Sequence, residues 1–446
     1  VSHAGLTRAL KAWSTDPAEL ARVSVDRSGT VPDGLPDLVV FARDVDDVRR
    51  TVSYAAARGV PVVPRGAGSG VAGGAVAGAG AIVLDLSGLD RIAEIRPDDA
   101  IAVVEPGVVT ADLDAAAAAH GLRYAPDPAS AAFSTIGGNI ATNAGGLRCV
   151  KYGVTRDAVL AVDAVLGDGT LVRTGRRTVK GVTGYDLTGL LVGSEGTLGV
   201  IVGATLRLSP LPAATATAGA FFATAEDAVA AVTALQRRGL RPSTAELLDR
   251  ATLVAIDQAQ GGDLHTRGQV FLLLQTDGHG AEAELAEAER VLRPLATSVE
   301  TTTDPVVADR LVATRRAALP AVERHGRVLI EDIAVPRSQI AGTVAAVERI
   351  AASTGVRIFV FAHVGDGNLH PIVLAGSAPP EQVDLAVAAV FEHALSVGGT
   401  LTGEHGVGTL KRPWLAAELG DPVLDLHRRI KAVFDPAGIL NPGKAI

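Results

Sequence analysis

Glycine clustering is what most limits the folds open to this chain. Of its 446 residues 50 are glycine, and they gather in corners where the backbone must come close to something. Three corners, Arg65 to Gly74, Ser134 to Gly146 and Gly193 to Gly199, lie in the first half of the chain. A tight turn explains any one of them. Three in one domain point to a large phosphate-bearing cofactor. The first corner holds Gly68, Gly70 and Gly73 in G-x-G-x-x-G spacing after a strand, with Asp90 downstream, so a Rossmann site has to be weighed. Such a site opens a helix at the loop, and VAGGAVAGAG places four glycines where that helix would propagate, which argues against it. What remains is a run of backbone N–H groups, a nest suited to a pyrophosphate. Arg65 adds charge and Ser69 a hydroxyl.

A core is available but must be aliphatic, since 48% of residues are hydrophobic, 3% are aromatic and none is methionine. The net charge of -8, with signs interspersed, excludes a nucleic-acid binder as the first expectation. The single cysteine, Cys149, rules out an internal disulfide framework or a cysteine-held cluster. No apolar run approaches the roughly 18 residues of a membrane helix, and VSHAGLTRALKAWS lacks a signal-peptide core. The expected location is cytoplasmic, with peripheral attachment to a membrane left open.

Periodicity divides the chain. A helical lead (Leu6 to Trp13, Pro17 to Val23) precedes a strand, a helix capped by Asp44 and stopped by Gly59, and a strand entering the first corner. Strands AIVLDLS and AIAVVEPGVV follow, then an Ala-rich helix capped by Thr110. PDPASAAFSTIGGNIATNAGGLRCVKYG reads as irregular, and long irregular segments are usually functional. AVLAVDAVLGDGTLVRTG reads as a hairpin, and GLLVGSEGTLGVIVGATLRLSP as two strands around a glycine corner. From Ala213 long helices (Ala225 to Arg238, Ala281 to Ala296, Arg337 to Thr354, Pro380 to Val397) alternate with strands (Gln269 to Thr276, Arg327 to Ala334, Arg357 to His363), an antiparallel sheet backed by helices. A helix Asp421 to Val433 comes last. The expected division is residues 1–35 as lead, 36–212 as a first domain, 213–425 as a second and 426–446 returning to the first.

In the second domain IFVFAHVGDGNLHPIVL, Ile358 to Leu374, reads as a hairpin turning at Asp366-Gly367. That register sets His363 opposite His370, Val364 opposite Leu369 and Gly365 opposite Asn368. Opposed residues share a face with Cβ atoms about 5 Å apart, close enough for two imidazoles to hold one ion. The plainer alternative is one histidine ending a strand and one on the surface. Further on, GTLTGEHGVGTLKR sets Glu404 and His405 between Gly403 and Gly406, which permit close backbone approach.

PRGAGSG (64–70), PDPAS (126–130), STIGGNIATNAGG (134–146), KYG (151–153), TGYDL (183–187) and GSEGTLGVI (193–201) resemble the FAD-binding motifs of the vanillyl-alcohol oxidase, or PCMH-type, flavoproteins. HVGDGNLH with GEHGVG resembles the D-2-hydroxyacid dehydrogenase branch, which holds cytochrome-type D-lactate dehydrogenases, the glycolate oxidase flavin subunit and D-2-hydroxyglutarate dehydrogenase. The resemblance spans about Leu38 to Lys444. It implies an α+β fold, a two-subdomain FAD-binding domain plus an α+β cap with an antiparallel sheet. By motif position, Arg65, Gly66, Ala67, Gly68, Ser69 and Gly70 would wrap the FAD pyrophosphate. Pro128, Ser134, Gly137, Gly138, Thr142 and Asn143 would line the flavin and ribityl chain, and Glu195, Gly196 and Ile201 would make adenosine or loop contacts. Neither His nor Cys occurs in the first corner, so the expected FAD is non-covalent.

The resemblance also makes His363, His370 and Glu404 the ligands of a divalent ion, His405 the base and Arg315 the clamp on the substrate carboxylate. Zinc suits a His2Glu set, with manganese or iron as alternatives. The implied reaction oxidises a D-2-hydroxy acid to the 2-oxo acid, with hydride passing to FAD. Where D-2-hydroxyglutarate dehydrogenases carry a lysine for a distal carboxylate, approximate alignment gives Ile330, which favours a small substrate such as D-lactate. Electrons would leave to a quinone, a cytochrome or another electron-transfer protein. A partner subunit and a homodimer both stay open, as does a non-redox flavoenzyme of the same fold, against which the histidine pair speaks.

Overall fold

The computed structural model describes residues 3–446. The chain forms two compact units, one of Val1–Gly146, Gly153–Leu211 and Glu404–Ile446, the other of Leu147–Tyr152 and Pro212–Gly403. The return to the first unit thus begins at Glu404, not at 426. Composition could not show this crossing, because it is fixed by hydrogen bonds to residues two hundred positions earlier.

The first unit holds two principal sheets. Leu38–Phe41, Ile82–Asp85 and Val62–Arg65 run parallel, in that order. Trp13–Ser14 adds an antiparallel edge to them, so the expected lead helix is confined to Ala4–Thr7. The second sheet is antiparallel, in the order Ile92–Arg96, Ile101–Val104, Val200–Arg207, Val159–Val165, Leu171–Gly175. Helix Val45–Ala56 is capped as expected, with Asp44 accepting from the Asp47 amide at 2.8 Å. Thr110 is the first residue of helix Thr110–Ala118 and not its cap, because its hydroxyl is engaged with Ser134 and Asn139. After Arg65 no helix opens, in keeping with the rejection of a Rossmann loop.

Two segments are more ordered than their sequence suggests. The irregular stretch contains helix Ile136–Thr142, whose Ile136 and Ile140 are fully buried. Only two apolar anchors one turn apart are needed, too few to register as periodicity. Gly189 to Leu191 belong to a short helix, Leu187–Leu191, instead of a strand, with the Asp186 carboxylate accepting from the Gly189 amide at 2.8 Å.

The second unit is built on one eight-stranded antiparallel sheet. Its order is Ala296–Thr302, Thr215–Phe222, Val270–Asp277, Thr244–Leu248, Ile358–His363, Asn368–Leu374, Val328–Ile330, with Ile333–Ala334 also pairing to Asn368–Leu374. Strands Thr244–Leu248, Ile358–His363 and Asn368–Leu374 are buried along their whole length, so a charge on any of them must find a partner within the protein. Helices Ala225–Arg237, Ala281–Leu292, Ile340–Thr354 and Pro380–Ser396 lie near the expected bounds. Helix Ala281–Leu292 stops short of Ala296, which starts the edge strand. Among the described residues no helix is long and apolar enough to cross a membrane.

Candidate active site

In the second unit the site begins with the hairpin. Its turn has four residues, Val364–Gly367, not two. The amides of Asp366 and Gly367 both donate to the His363 carbonyl, at 3.2 and 3.1 Å, and Gly367 takes φ +97°. The register therefore differs from expectation: His363 pairs with Asn368, and His370 with Phe361. A shift by two residues keeps every side chain on its face, so the histidines remain neighbours, now diagonal. Their ring centroids lie 5.0 Å apart with the planes at 89°, and each offers a ring nitrogen within 4.8 Å of the other.

A buried carboxylate stands behind each ring. Glu246, fully buried on strand Thr244–Leu248, has Oε1 2.6 Å from His363 Nδ1. Asp332, also fully buried, has Oδ1 3.6 Å from His370 Nδ1. Asp332 is itself held by the Asn368 side-chain amide at 2.6 Å and the Thr402 hydroxyl at 2.7 Å. Two neighbouring imidazoles, His363 with its Nδ1 fixed by a hydrogen-bonded carboxylate and His370 with Asp332 within ion-pair range, form a donor pair suited to a divalent ion, since a carboxylate on Nδ1 leaves the far nitrogen as ligand. The residues fit such an ion. Arg315 belongs to the same cluster: its Nε donates to Glu246 Oε2 at 2.8 Å, and its guanidinium lies 5.4 Å from the Phe361 ring centre. Ile330 pairs with Ile372 at the sheet edge and packs on the apolar core.

In the first unit Glu404 and His405 occupy a tightly fixed loop. A Cβ on Gly145, in the second glycine corner, would lie 2.2 Å from Glu404 Oε2, so only glycine admits the carboxylate there. The loop is fastened by Glu195, whose two oxygens accept from the amides of Val407 at 2.7 Å and Gly408 at 2.8 Å. Burial pushes the Glu195 carboxyl up, against the pull of those amides and of Lys411 and Lys444. Glu195 adopts φ +51°, and its carbonyl accepts from the Asn441 side chain at 2.7 Å.

The remaining motif residues sort by what they touch. Ala67 and Thr135 line a cavity of about 280 Å³ with Ser87, Asp90, Gly107 and Phe133. Thr135 is buried, yet among the described residues its hydroxyl has no hydrogen-bond partner, and a Cβ on Gly66 would stand 2.2 Å from it. A lined cavity, an unsatisfied buried hydroxyl and a cradle that a methyl would fill are features a bound cofactor uses, so this corner fits FAD. Gly68 takes φ +66°, and a Cβ there would strike the Arg65 guanidinium. That guanidinium is buried and donates to the carbonyls of Val23 at 3.2 Å and Val25 at 2.6 Å, bracing the corner from behind. The Gly70 carbonyl accepts from Arg27, while Ser69 lies half-buried on the loop.

Gly137 and Gly196 are required by Pro106 and Pro64, which their Cβ atoms would meet. Gly138 lies against the Thr135 hydroxyl and accepts from Thr142 at 3.1 Å. Asn143 closes its helix in the left-handed region and accepts from the Arg156 amide. The Ser134 hydroxyl lies 3.0 Å from that of Thr110, and the Pro128 carbonyl accepts from Ala131. Ile201 is a core residue of its sheet, placed by packing.

Residues 36–175 match the family model described as FAD binding domain, and residues 211–445 the model described as FAD linked oxidases, C-terminal domain. Glycolate oxidase subunit GlcD of Bacillus subtilis is 41% identical over 92% of this chain and 89% of its own length. A D-lactate dehydrogenase of Anaerostipes hadrus is 34% identical over 92% of this chain and 89% of its own. The chain belongs to the FAD-linked D-2-hydroxyacid dehydrogenase family. It is an FAD-dependent hydroxyacid oxidoreductase. A solved structure of p-cresol methylhydroxylase with substrate bound superposes with a TM-score of 0.79 at 17% identity, covering 100% of this chain and 97% of that one, which places this family member in the PCMH-type α+β fold. Two residues of the cluster around the histidine pair escaped sequence reading. Glu246 and Asp332 lie far in sequence from the histidines they back, and the one local signal was an acidic residue inside an apolar run.

Proposed function

We propose that this dehydrogenase oxidises a small D-2-hydroxy acid, D-lactate-like in size, with a divalent ion, zinc by preference, held by His363, His370 and Glu404. The buried histidine pair carries the reading, with the Glu246 carboxylate hydrogen-bonded to His363 Nδ1 so that the far ring nitrogen is left as a ligand. When bound, the ion supplies a Lewis acid for the 2-hydroxyl and FAD a two-electron acceptor for the C2 hydrogen. The chain's own residues do the rest. His405 takes the hydroxyl proton, the task of a general base that imidazole commonly performs. Arg315 presents its terminal nitrogens to the substrate carboxylate, a planar fork for a planar anion. Ile330 offers no charge to a second carboxylate, which supports a monocarboxylate over D-2-hydroxyglutarate.

Electrons then pass to a non-NAD acceptor, a quinone, a cytochrome or an electron-transfer protein. A second reading is favoured by the GlcD relative: a flavin subunit that acts on glycolate, a still smaller 2-hydroxy acid, within a multi-protein assembly. Anaerobic mixing of FAD- and metal-replete protein with D- and L-2-hydroxy acids, followed at the flavin band at about 450 nm, tests both. Bleaching by D-lactate supports the first and bleaching by glycolate alone the second. Loss of neither colour nor band with any 2-hydroxy acid would sink the proposal.

A further inference from the structure

Glu246 is a buried charge in direct contact with both His363 and Arg315. Strand Thr244–Leu248 sets it opposite His363 in the sheet, and none of it reaches solvent. Its two oxygens go to different partners. Oε1 meets His363 Nδ1 at 2.6 Å, and Oε2 accepts from Arg315 Nε at 2.8 Å. An ion pair meant only to hold Arg315 would favour a two-pronged contact with the guanidinium. Here the carboxylate is divided, one oxygen to an imidazole and one to the arginine's inner nitrogen.

We infer that Glu246 is a positioning residue that orients His363 and Arg315 together, coupling the affinity for the ion to recognition of the substrate carboxylate; the inference rests on the ion reading above. The bond to Nδ1 keeps the ring proton on that side and directs Nε2 as the ligand atom. The bond to Nε fixes the plane of the guanidinium and turns its terminal nitrogens, the fork that suits a carboxylate, away from Glu246. Because both bonds end on one rigid carboxylate in the middle of a sheet, releasing either partner loosens the other. Arg315 therefore influences the ion without touching it.

The test uses the full-length chain with FAD bound, stripped of metal, and measures zinc affinity by competition with a chromophoric chelator. Glu246→Gln keeps size and shape, but its NH2 group must face either the His363 or the Arg315 donor. It is expected to weaken zinc binding about 10–100-fold and to raise KM for the 2-hydroxy acid, with FAD content unchanged. Arg315→Met, which removes only a partner of Glu246, is expected to weaken zinc binding by about tenfold. An arginine that merely clamped substrate would leave that affinity alone. Wild-type zinc affinity in either folded variant overturns the inference, and if Glu246→Gln fails to fold, Arg315→Met decides. His363→Ala separates the two levels: wild-type zinc binding there refutes the ion reading itself, whereas its loss beside unaltered Glu246→Gln refutes only the coupling.

Discussion

Replacing Glu195 with glutamine tests whether this residue holds the loop that bears His405 or the cofactor. In the native protein its carboxylate accepts from two backbone amides, Val407 at 2.7 Å and Gly408 at 2.8 Å, two and three residues beyond His405. Glutamine has one oxygen. It can keep one of these bonds while its NH2 opposes the other amide, leaving a buried N–H without an acceptor. A lost bond to a charged acceptor together with the orphaned donor is worth about 2–3 kcal/mol, partly offset because a neutral group is easier to bury than the carboxylate whose pKa burial already raises. A net of about 1.5–2.5 kcal/mol, confined to the loop, displaces His405 and should slow flavin reduction by a 2-hydroxy acid roughly 10–70-fold. FAD content should stay at one per chain, and the melting temperature should fall by only a few degrees. Stopped-flow reduction, flavin absorbance after desalting and differential scanning calorimetry give the three readouts. Reduction at the wild-type rate would refute the loop argument. So would loss of FAD with the loop chemistry otherwise intact, since it would return Glu195 to the cofactor.

Four other substitutions have definite expectations. Burial raises the Asp249 carboxyl from 3.8 to about 6, so the native state binds more protons than the unfolded chain across that window and stability falls as pH rises through it. Asparagine keeps the cap on the Thr252 amide without the charge, so Asp249→Asn should be more stable at pH 8 by up to about 3 kcal/mol and show no gain below about pH 4. Urea unfolding at the two pH values checks both magnitude and sign. Gly66→Ala would place a methyl against the Thr135 hydroxyl and should weaken FAD binding by roughly tenfold or more, about 1.4 kcal/mol, in a fluorescence titration of apoprotein; unchanged affinity would make the corner an ordinary turn. His405→Ala should retain FAD and metal but lose about 10²–10⁴-fold in flavin reduction, whereas His363→Ala should lose the metal as well, by elemental analysis.

What could be read from the sequence follows the range of the forces involved. The hairpin shows this best. Alternation placed both histidines on one face, and that survived an error in the turn, because a four-residue turn moves the register by two and two is the period of a strand. The distance between rings was therefore legible and the partner of each was not. Glycine corners were legible for a similar reason: positive φ at Gly68 and Gly73, and the missing side chain at Gly66 and Gly145, are local demands that one residue type meets. Ile201, within GSEGTLGVI, is also part of the core of its sheet. The partners of Glu195, Glu246 and Asp332 were illegible because they lie on other strands and loops, 212 residues away for Glu195 and 117 for Glu246. Even so, the sequence carried half of the argument for Glu246. An acid in the run TAELL, on a strand buried at every position, has to be paired. In a protein whose other central strand carries a histidine directly opposite, that need for a partner and a metal ligand's need for an orienting carboxylate are met by the same contact.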